Sequence, residues 1–349
     1  MAIRALEIED LRCLEKCVWE PSERVNVVVG ENGAGKTSLL EAVVLAATGR
    51  ALRSGSSRAA IAYNAKRLRV RVGFGKALSA GTLVYERSPQ ARVWLLNDEA
   101  VRSTIRVYEQ LPILVFSPES HYAALQDAQV RRTTMHWLLF HVEPLFLDTW
   151  RRYQRVLKQR NMALRNKDAT YRMFDPGLCQ TGEVLAGFWS VNQKALQEPF
   201  QRLAARLRLT IPVEMVLYPG WQGKSFMEAL SQAHLGDERL GYTQLGPHRS
   251  DIRFLLGGRP IQQVASHGQQ KVIINAWRLA LAQAVQAAGK EPLVLVDDLA
   301  AELDSERRHA FYEELSTSEV QALVTAIERD DLPSSATMFH VEHGCLHQS

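Results

Sequence analysis

Apolar and polar residues alternate along residues 2 to 9 and again around Val18-Trp19, and this period of two predicts strands. The next run, Val25-Asn26-Val27-Val28-Val29, is apolar on both faces, which predicts a buried strand of a parallel sheet. Leu39-Leu40-Glu41-Ala42-Val43-Val44-Leu45 then reads as a helix. Alternation returns at Leu68-Arg69-Val70-Arg71-Val72, and residues 82 to 86 and 91 to 96, separated by Arg87-Ser88-Pro89-Gln90, predict a hairpin. Antiparallel strands so close to a parallel one predict a mixed sheet.

From Leu114-Val115-Phe116-Ser117-Pro118-Glu119 onward the pattern turns helical and stays so for about a hundred residues by periodicity. Phe146, Trp150, Tyr153, Leu157 and Leu164 fall at helical spacing and predict the buried stripe of one long helix. Asp175-Pro176-Gly177 and Tyr218-Pro219-Gly220-Trp221-Gln222-Gly223 mark turns. Strand character resumes at Asp251-Ile252-Arg253-Phe254-Leu255-Leu256, followed by a Gly257-Gly258 turn. Heptads do not persist, so the helical part is a compact insertion. The organisation expected is an α/β head made of residues 1–117 and 243–349, with a mainly helical arm at 118–242 between its halves.

Between the strand and the first helix lies Gly30-Glu31-Asn32-Gly33-Ala34-Gly35-Lys36-Thr37-Ser38, a complete match to G-x-x-x-x-G-K-[ST] in strand-loop-helix context. The glycines let successive N–H groups converge on phosphate oxygens at the positive end of the helix. Lys36 is placed to reach the β and γ phosphates, and Thr37 offers Mg²⁺ a hydroxyl, with Ser38 as its substitute. The bland account is a chance glycine-rich turn. A second element supports the functional one: Leu293-Val294-Leu295-Val296-Asp297-Asp298 is an apolar strand ending in two carboxylates. Asp297 would hold Mg²⁺, and Asp298 would orient or deprotonate the attacking water. Alone, such a pair could merely cap the next helix.

Ser266-His267-Gly268-Gln269-Gln270-Lys271 precedes another helical run, and Ser266 is a good N-cap. Capping is the plain reading. The functional one is a second phosphate-binding helix start, contacting the γ phosphate held by another copy of the chain.

Composition adds limits. The chain has 349 residues, 46% of them apolar, enough for one large or two unequal domains, and a formal net charge of +4. Any nucleic-acid surface must therefore come from local clustering. No acid stands between Glu41 and Glu86, while Arg50, Arg53, Arg58, Lys66, Arg67, Arg69, Arg71 and Lys76 do. Residues 151 to 167 hold Arg151, Arg152, Arg155, Lys158, Arg160, Arg165 and Lys167, also without an acid, which predicts a phosphate-contacting helix. The four cysteines, Cys13, Cys17, Cys179 and Cys345, are too few and scattered for a disulfide framework. They imply a reducing, cytoplasmic setting, with Cys13 and Cys17 as buried small hydrophobes. No apolar run approaches the roughly 18 residues of a membrane span.

The order of phosphate loop, Ser-x-Gly-Gln signature, Asp-Asp strand and Glu302-Leu303-Asp304 resembles the ABC and SMC class of ATPases. Gly49 to Ser54, Ser117-Pro118-Glu119, Arg131-Arg132, Tyr153 to Asn161 and Gly246-Pro247-His248-Arg249 extend that likeness to the RecF family of DNA replication and repair proteins. The resemblance implies a P-loop ABC-type ATPase head with a mixed sheet. It also implies ATP with Mg²⁺ as the ligands, and an ATP-dependent homodimer in which Ser266, Gly268 and Gln269 of one copy cover the nucleotide of the other, Asp304 lying across the interface. Partners implied are DNA, as gapped duplex and single strand, and the RecO and RecR proteins, which help RecA replace single-strand-binding protein. Two departures stand out: His267 occupies a signature position that is usually Arg, and Leu323-Val324-Thr325-Ala326-Ile327 carries no switch histidine. Asp298 in place of the more common Glu suggests slow turnover. Rival readings are another SMC-like repair ATPase, a P-loop kinase or transferase, and a DNA scaffold that binds ATP without hydrolysing it.

Overall fold

A computed structural model of the protein describes residues 2–52, 56–75, 81–223, 225–299, 303–327, 332–333 and 335–348. The chain folds into two compact units, one of Met1–His121 with Val285–Ser349 and one of Tyr122–Ala284.

The first unit contains two six-stranded sheets. In one, the strands run Cys345–Gln348, Thr337–Glu342, Val25–Val29, Gln321–Ala326, Leu293–Val296, Ile113–Phe116, all parallel except the terminal hairpin. Every residue of Val25–Val29 is buried, as the two-faced apolar run predicts for a strand with neighbours on both sides. The other sheet, Leu14–Trp19, Ile3–Leu11, Leu68–Phe74, Gly81–Arg87, Arg92–Leu96, Glu99–Ala100, is antiparallel throughout. The hairpin expected at 82–96 is there. It does not join the sheet of Val25–Val29, because parallel strands occupy both edges of that strand. The helix Lys36–Thr48 touches strands of both sheets and is buried from Ser38 to Ala47, so it carries apolar residues all round.

The second unit is built on helices Ala128–Val142, Phe146–Arg165, Asp175–Arg206 and Phe226–Leu240, with a three-stranded antiparallel sheet of Arg259–Pro260, Asp251–Leu256 and Glu214–Tyr218. Two expectations change here. Asp175-Pro176-Gly177 begins a helix of 32 residues, since proline in the first turn gives up no helical hydrogen bond. Residues 243–284, expected in the head, fold with the arm: Asp251–Leu256 pairs with Glu214–Tyr218, Arg131 grips Asp251 through both carboxylate oxygens at 2.9 and 3.0 Å, and Phe254 meets Trp277 edge-on at 5.5 Å. Among the described residues no helix is long and apolar enough to cross a membrane.

Candidate nucleotide site

Parallel strands deliver their carboxyl ends to one edge of a sheet, where ligands of α/β folds bind. Here Val29, Phe116, Val296 and Ala326 end together, and the residues after them surround a cavity of about 360 Å³. Asn32, Gly33, Gly35, Lys36, Thr37 and Ser38 form one wall; Asp297, Asp298 and Thr325 to Ile327 form another. Gly33 and Gly35 have φ of 85° and 113°, the left-handed conformations that need glycine. Helix Lys36–Thr48 has no acid in its first turn, which leaves its N-terminal dipole available to an anion.

The two halves of the motif meet directly. The Thr37 hydroxyl donates to Asp297 Oδ1 at 2.9 Å across 260 residues of sequence. Thr325 donates to the same oxygen at 2.8 Å and accepts from the Asp298 N–H at 3.2 Å. Thr325, buried at the end of its strand, thus ties both aspartates in the segment where sequence reasoning saw only a missing histidine. Asp298 holds φ at 52°, a strained conformation for a residue with a Cβ and one that clusters at functional sites. Lys36 Nζ donates to the Gly30 and Glu31 carbonyls at 2.6 and 2.9 Å. Burial pushes its ammonium below the usual lysine range, opposed by Asp298 and Asp297. A hydroxyl and a carboxylate sharing one hydrogen bond are a hard-oxygen pair suited to Mg²⁺. Among the described residues no three His, Cys, Asp or Glu side chains gather to hold an ion.

The wall also includes residues outside the phosphate loop and the Asp-Asp strand. Arg12, whose guanidinium is bidentate to the buried Glu41 at 2.9 and 3.1 Å, lines the cavity with Cys13, Leu52, Pro118 and Glu119. Cys13 is exposed, not the buried hydrophobe expected. Arg12 sits in the turn before it at φ 55°, and no local spacing in the sequence marks either residue.

The signature residues belong to the second unit. Ser266 N–H donates to Gln269 Oε1 at 2.8 Å and Gln269 N–H to Ser266 Oγ at 3.3 Å, a reciprocal capping box on helix His267–Ala287. His267 is exposed. Asp304 caps Ser305–Thr317 through the Arg307 N–H at 3.0 Å and pairs with its guanidinium at 2.9 Å.

Of the basic residues, Arg151, Arg152, Arg155 and Lys158 are exposed along one face of Phe146–Arg165. Arg160 is not a DNA contact. It is fully buried, donating to Asp175 at 2.8 Å, Asp237 at 2.7 Å and the Thr243 hydroxyl at 2.8 Å. Its place follows from the helix: 153, 157, 160 and 164 make one stripe, with Tyr153, Leu157 and Leu164 all buried. Arg50 is exposed, while Arg53 lies outside the described residues. Nearby, Arg67 and Arg69 pair with Glu86 at 3.6 and 3.3 Å, and Arg71 with Glu7 at 3.4 Å, so cross-strand acids neutralise part of the basic block.

Comparison with known proteins places the chain in a family. Residues 2–345 match the family described as RecF/RecN/SMC N terminal domain. The chain is 35% identical to the DNA replication and repair protein RecF of Thioalkalivibrio sulfidiphilus, the match covering 99% of each, and 32% identical to that of Pseudomonas aeruginosa, covering 100% of this chain and 98% of the relative. A solved structure of the recombination mediator protein RecF with ATP in the RecFOR pathway superposes with a TM-score of 0.84 at 20% identity, over 99% of this chain and 97% of the other. An SMC head bound to the C-terminal winged-helix domain of ScpA gives 0.62 at 15% identity, over 100% and 97%. These two likenesses concern the fold.

Proposed function

The chain belongs to the RecF family, within the RecF/RecN/SMC N-terminal group, and from there we propose that it is an ATP-driven DNA clamp of recombinational repair and replication restart. The observation that carries this is the hydrogen bond between Thr37 and Asp297 in the wall of the 360 Å³ cavity, which joins the phosphate loop to the Asp-Asp strand. Gly33, Gly35 and Lys36 would bind the phosphates of ATP, and Thr37 and Asp297 would hold Mg²⁺, which would supply neutralisation of phosphate charge. Asp298 orients a water whose oxygen attacks the γ phosphorus as the bond to the ADP oxygen breaks, and it accepts that water's proton.

Two copies enclose two nucleotides, Ser266, Gly268 and Gln269 of each facing the γ phosphate of the other and Asp304 lying at the interface. Ser266 then exchanges its capping bond for a phosphate contact. Dimerisation brings together two copies of each basic cluster, Arg50 in the first unit and Arg151, Arg152, Arg155 and Lys158 in the second, and so multiplies phosphate affinities that singly lie at about 10⁻⁴ to 10⁻⁶ M. Hydrolysis, slow and stimulated by DNA, removes the shared γ phosphate and opens the clamp. DNA with duplex beside a single-stranded gap, and the RecO and RecR proteins, are the partners that the family's place in the RecFOR pathway favours.

Solution mass by light scattering tests the reading, using Asp298→Asn to retain ATP. The expected result is a monomer alone or with ADP and a dimer with ATP, with hydrolysis down by about 10²- to 10⁴-fold. A mass unchanged while ATP binds would exclude the shared site.

A further inference from the structure

The loop that receives the phosphates is gripped from behind by a part of the chain that carries none of the recognised motifs, the C-terminal hairpin. Thr337–Glu342 runs parallel to Val25–Val29 with His340 opposite Val29, so Val341 comes alongside Gly30. The approach is close: a Cβ on Gly30 would collide with the Val341 carbonyl and lie 3.0 Å from Val341 Cγ1. The hairpin then turns at His343-Gly344, with φ of 46° and 78°, and the Gly344 N–H donates to the Ala34 carbonyl at 3.2 Å. Cys13 and Leu14 pack against both the loop and the hairpin. A Cβ on Gly35 would lie 2.9 Å from Leu14 Cδ2 and 3.3 Å from Cys13 Sγ, and one on Gly344 would lie 2.6 Å from the Cys13 carbonyl oxygen.

The bond at Ala34 has a directional consequence. The described chain has no cis peptide, and in a trans peptide the C=O and the following N–H point opposite ways. Drawing the Ala34 carbonyl toward the hairpin therefore turns the Gly35 N–H away from it, and Gly35 lines the cavity. We propose that Gly344 and Val341 are positioning residues for the nucleotide: the hairpin fixes the peptide plane between Ala34 and Gly35 so that the Gly35 N–H is aimed at phosphate before ATP arrives. Preorganised donors need no rearrangement on binding, which is why a contact remote from the ligand alters affinity.

This rests on the reading of the cavity as an ATP site, and the experiment separates the two. ATP and ADP affinities are measured by calorimetry with Mg²⁺ on the full chain, for the wild type, Gly344→Asn, Gly344→Ala, Val341→Ala and His343→Asn. Asparagine tolerates the left-handed conformation, so Gly344→Asn isolates the collision with Cys13 from backbone strain. His343 is exposed at φ 46°, and asparagine there keeps the turn while changing the side chain, so His343→Asn serves as the control. Both Gly344 variants are expected to weaken both nucleotides about tenfold or more, with Val341→Ala weaker by less and His343→Asn unchanged.

Hydrogen exchange on the nucleotide-free wild type gives a readout that needs no variant to fold. Peptides covering 30–38 and 339–348 are expected to be protected together, and the Gly344 variants to lose protection in the first without general unfolding. Wild-type affinity retained in a folded Gly344→Asn, or a loop that exchanges freely beside a protected hairpin, overturns the proposal. A wild type that binds neither nucleotide overturns the ATP reading instead.

Discussion

The nucleotide cavity and the interior of the arm use the same chemistry to opposite ends. Each gathers two aspartates and a basic side chain. In the arm, Asp175 and Asp237 close around Arg160, with Arg160 and Asp237 fully buried and Thr243 satisfying a further donor. In the head, Asp297 and Asp298 are half-buried beside open volume, anchored by the hydroxyls of Thr37 and Thr325, while Lys36 points to backbone carbonyls. Charge matched inside the fold makes structure; charge held at the edge of a cavity makes a place for a ligand. Burial and local pairing separate the two cases, and residue type does not.

The sharpest way to break that comparison is to remove the arm's cation. Arg160→Ala leaves two carboxylates in the interior and should cost about 3 to 5 kcal/mol, read as a shifted urea midpoint, because an uncompensated buried charge is worse than no pair. Loss below about 1 kcal/mol, the scale of an exposed pair, would show that the cluster is solvated.

Acid probes the same interior. Burial pushes His248 down to about 4 and His136 to about 3, from an ordinary 6.5. Both are neutral in the fold, so the unfolded chain binds more protons below pH 6.5. Stability is therefore full above 6.5 and falls as pH drops toward 4 for His248 and 3 for His136, by about 1.4 kcal/mol per pH unit for each. Denaturant unfolding from pH 7 to 4 measures this, and a flat profile would contradict their burial as neutral groups.

In the head, Thr325→Val removes the hydroxyl between the aspartates. It should cost about 1 to 3 kcal/mol in stability or in the hydrolysis barrier, with ATP affinity less affected than turnover, since the lost bonds position Asp297 and Asp298. Unchanged turnover would remove Thr325 from the site.

The smallest effect sharpens the contrast within one helix. Lys158, two residues before Arg160, is exposed, and Lys158→Ala should leave stability within about 0.5 kcal/mol. It should also lower the salt slope of DNA binding by about one. A slope that does not move would place the DNA surface elsewhere.

Much of this was legible in the chain. The phosphate loop, the Asp-Asp strand and the long helix all show in local spacing, since each lies within a few residues along one element. Arg160 reads with the basic run as a DNA contact, and its burial on the Tyr153 stripe overturns that reading. The cross-strand acids Glu7 and Glu86, the role of Thr325 and the cavity wall at Arg12 and Cys13 were not legible, because each depends on residues brought together from distant segments.

By itself the sequence determined which segments could bind phosphate and magnesium, because N–H geometry at a glycine turn and carboxylates at a strand end are local properties. Tertiary structure alone decided which charges stay buried, which strands flank the loop and that the C-terminal hairpin reaches Ala34. Those outcomes depend on register and packing between segments as far apart as Gly344 and Ala34, separated by 310 residues, and pairings across such separations leave no periodic trace in a sequence.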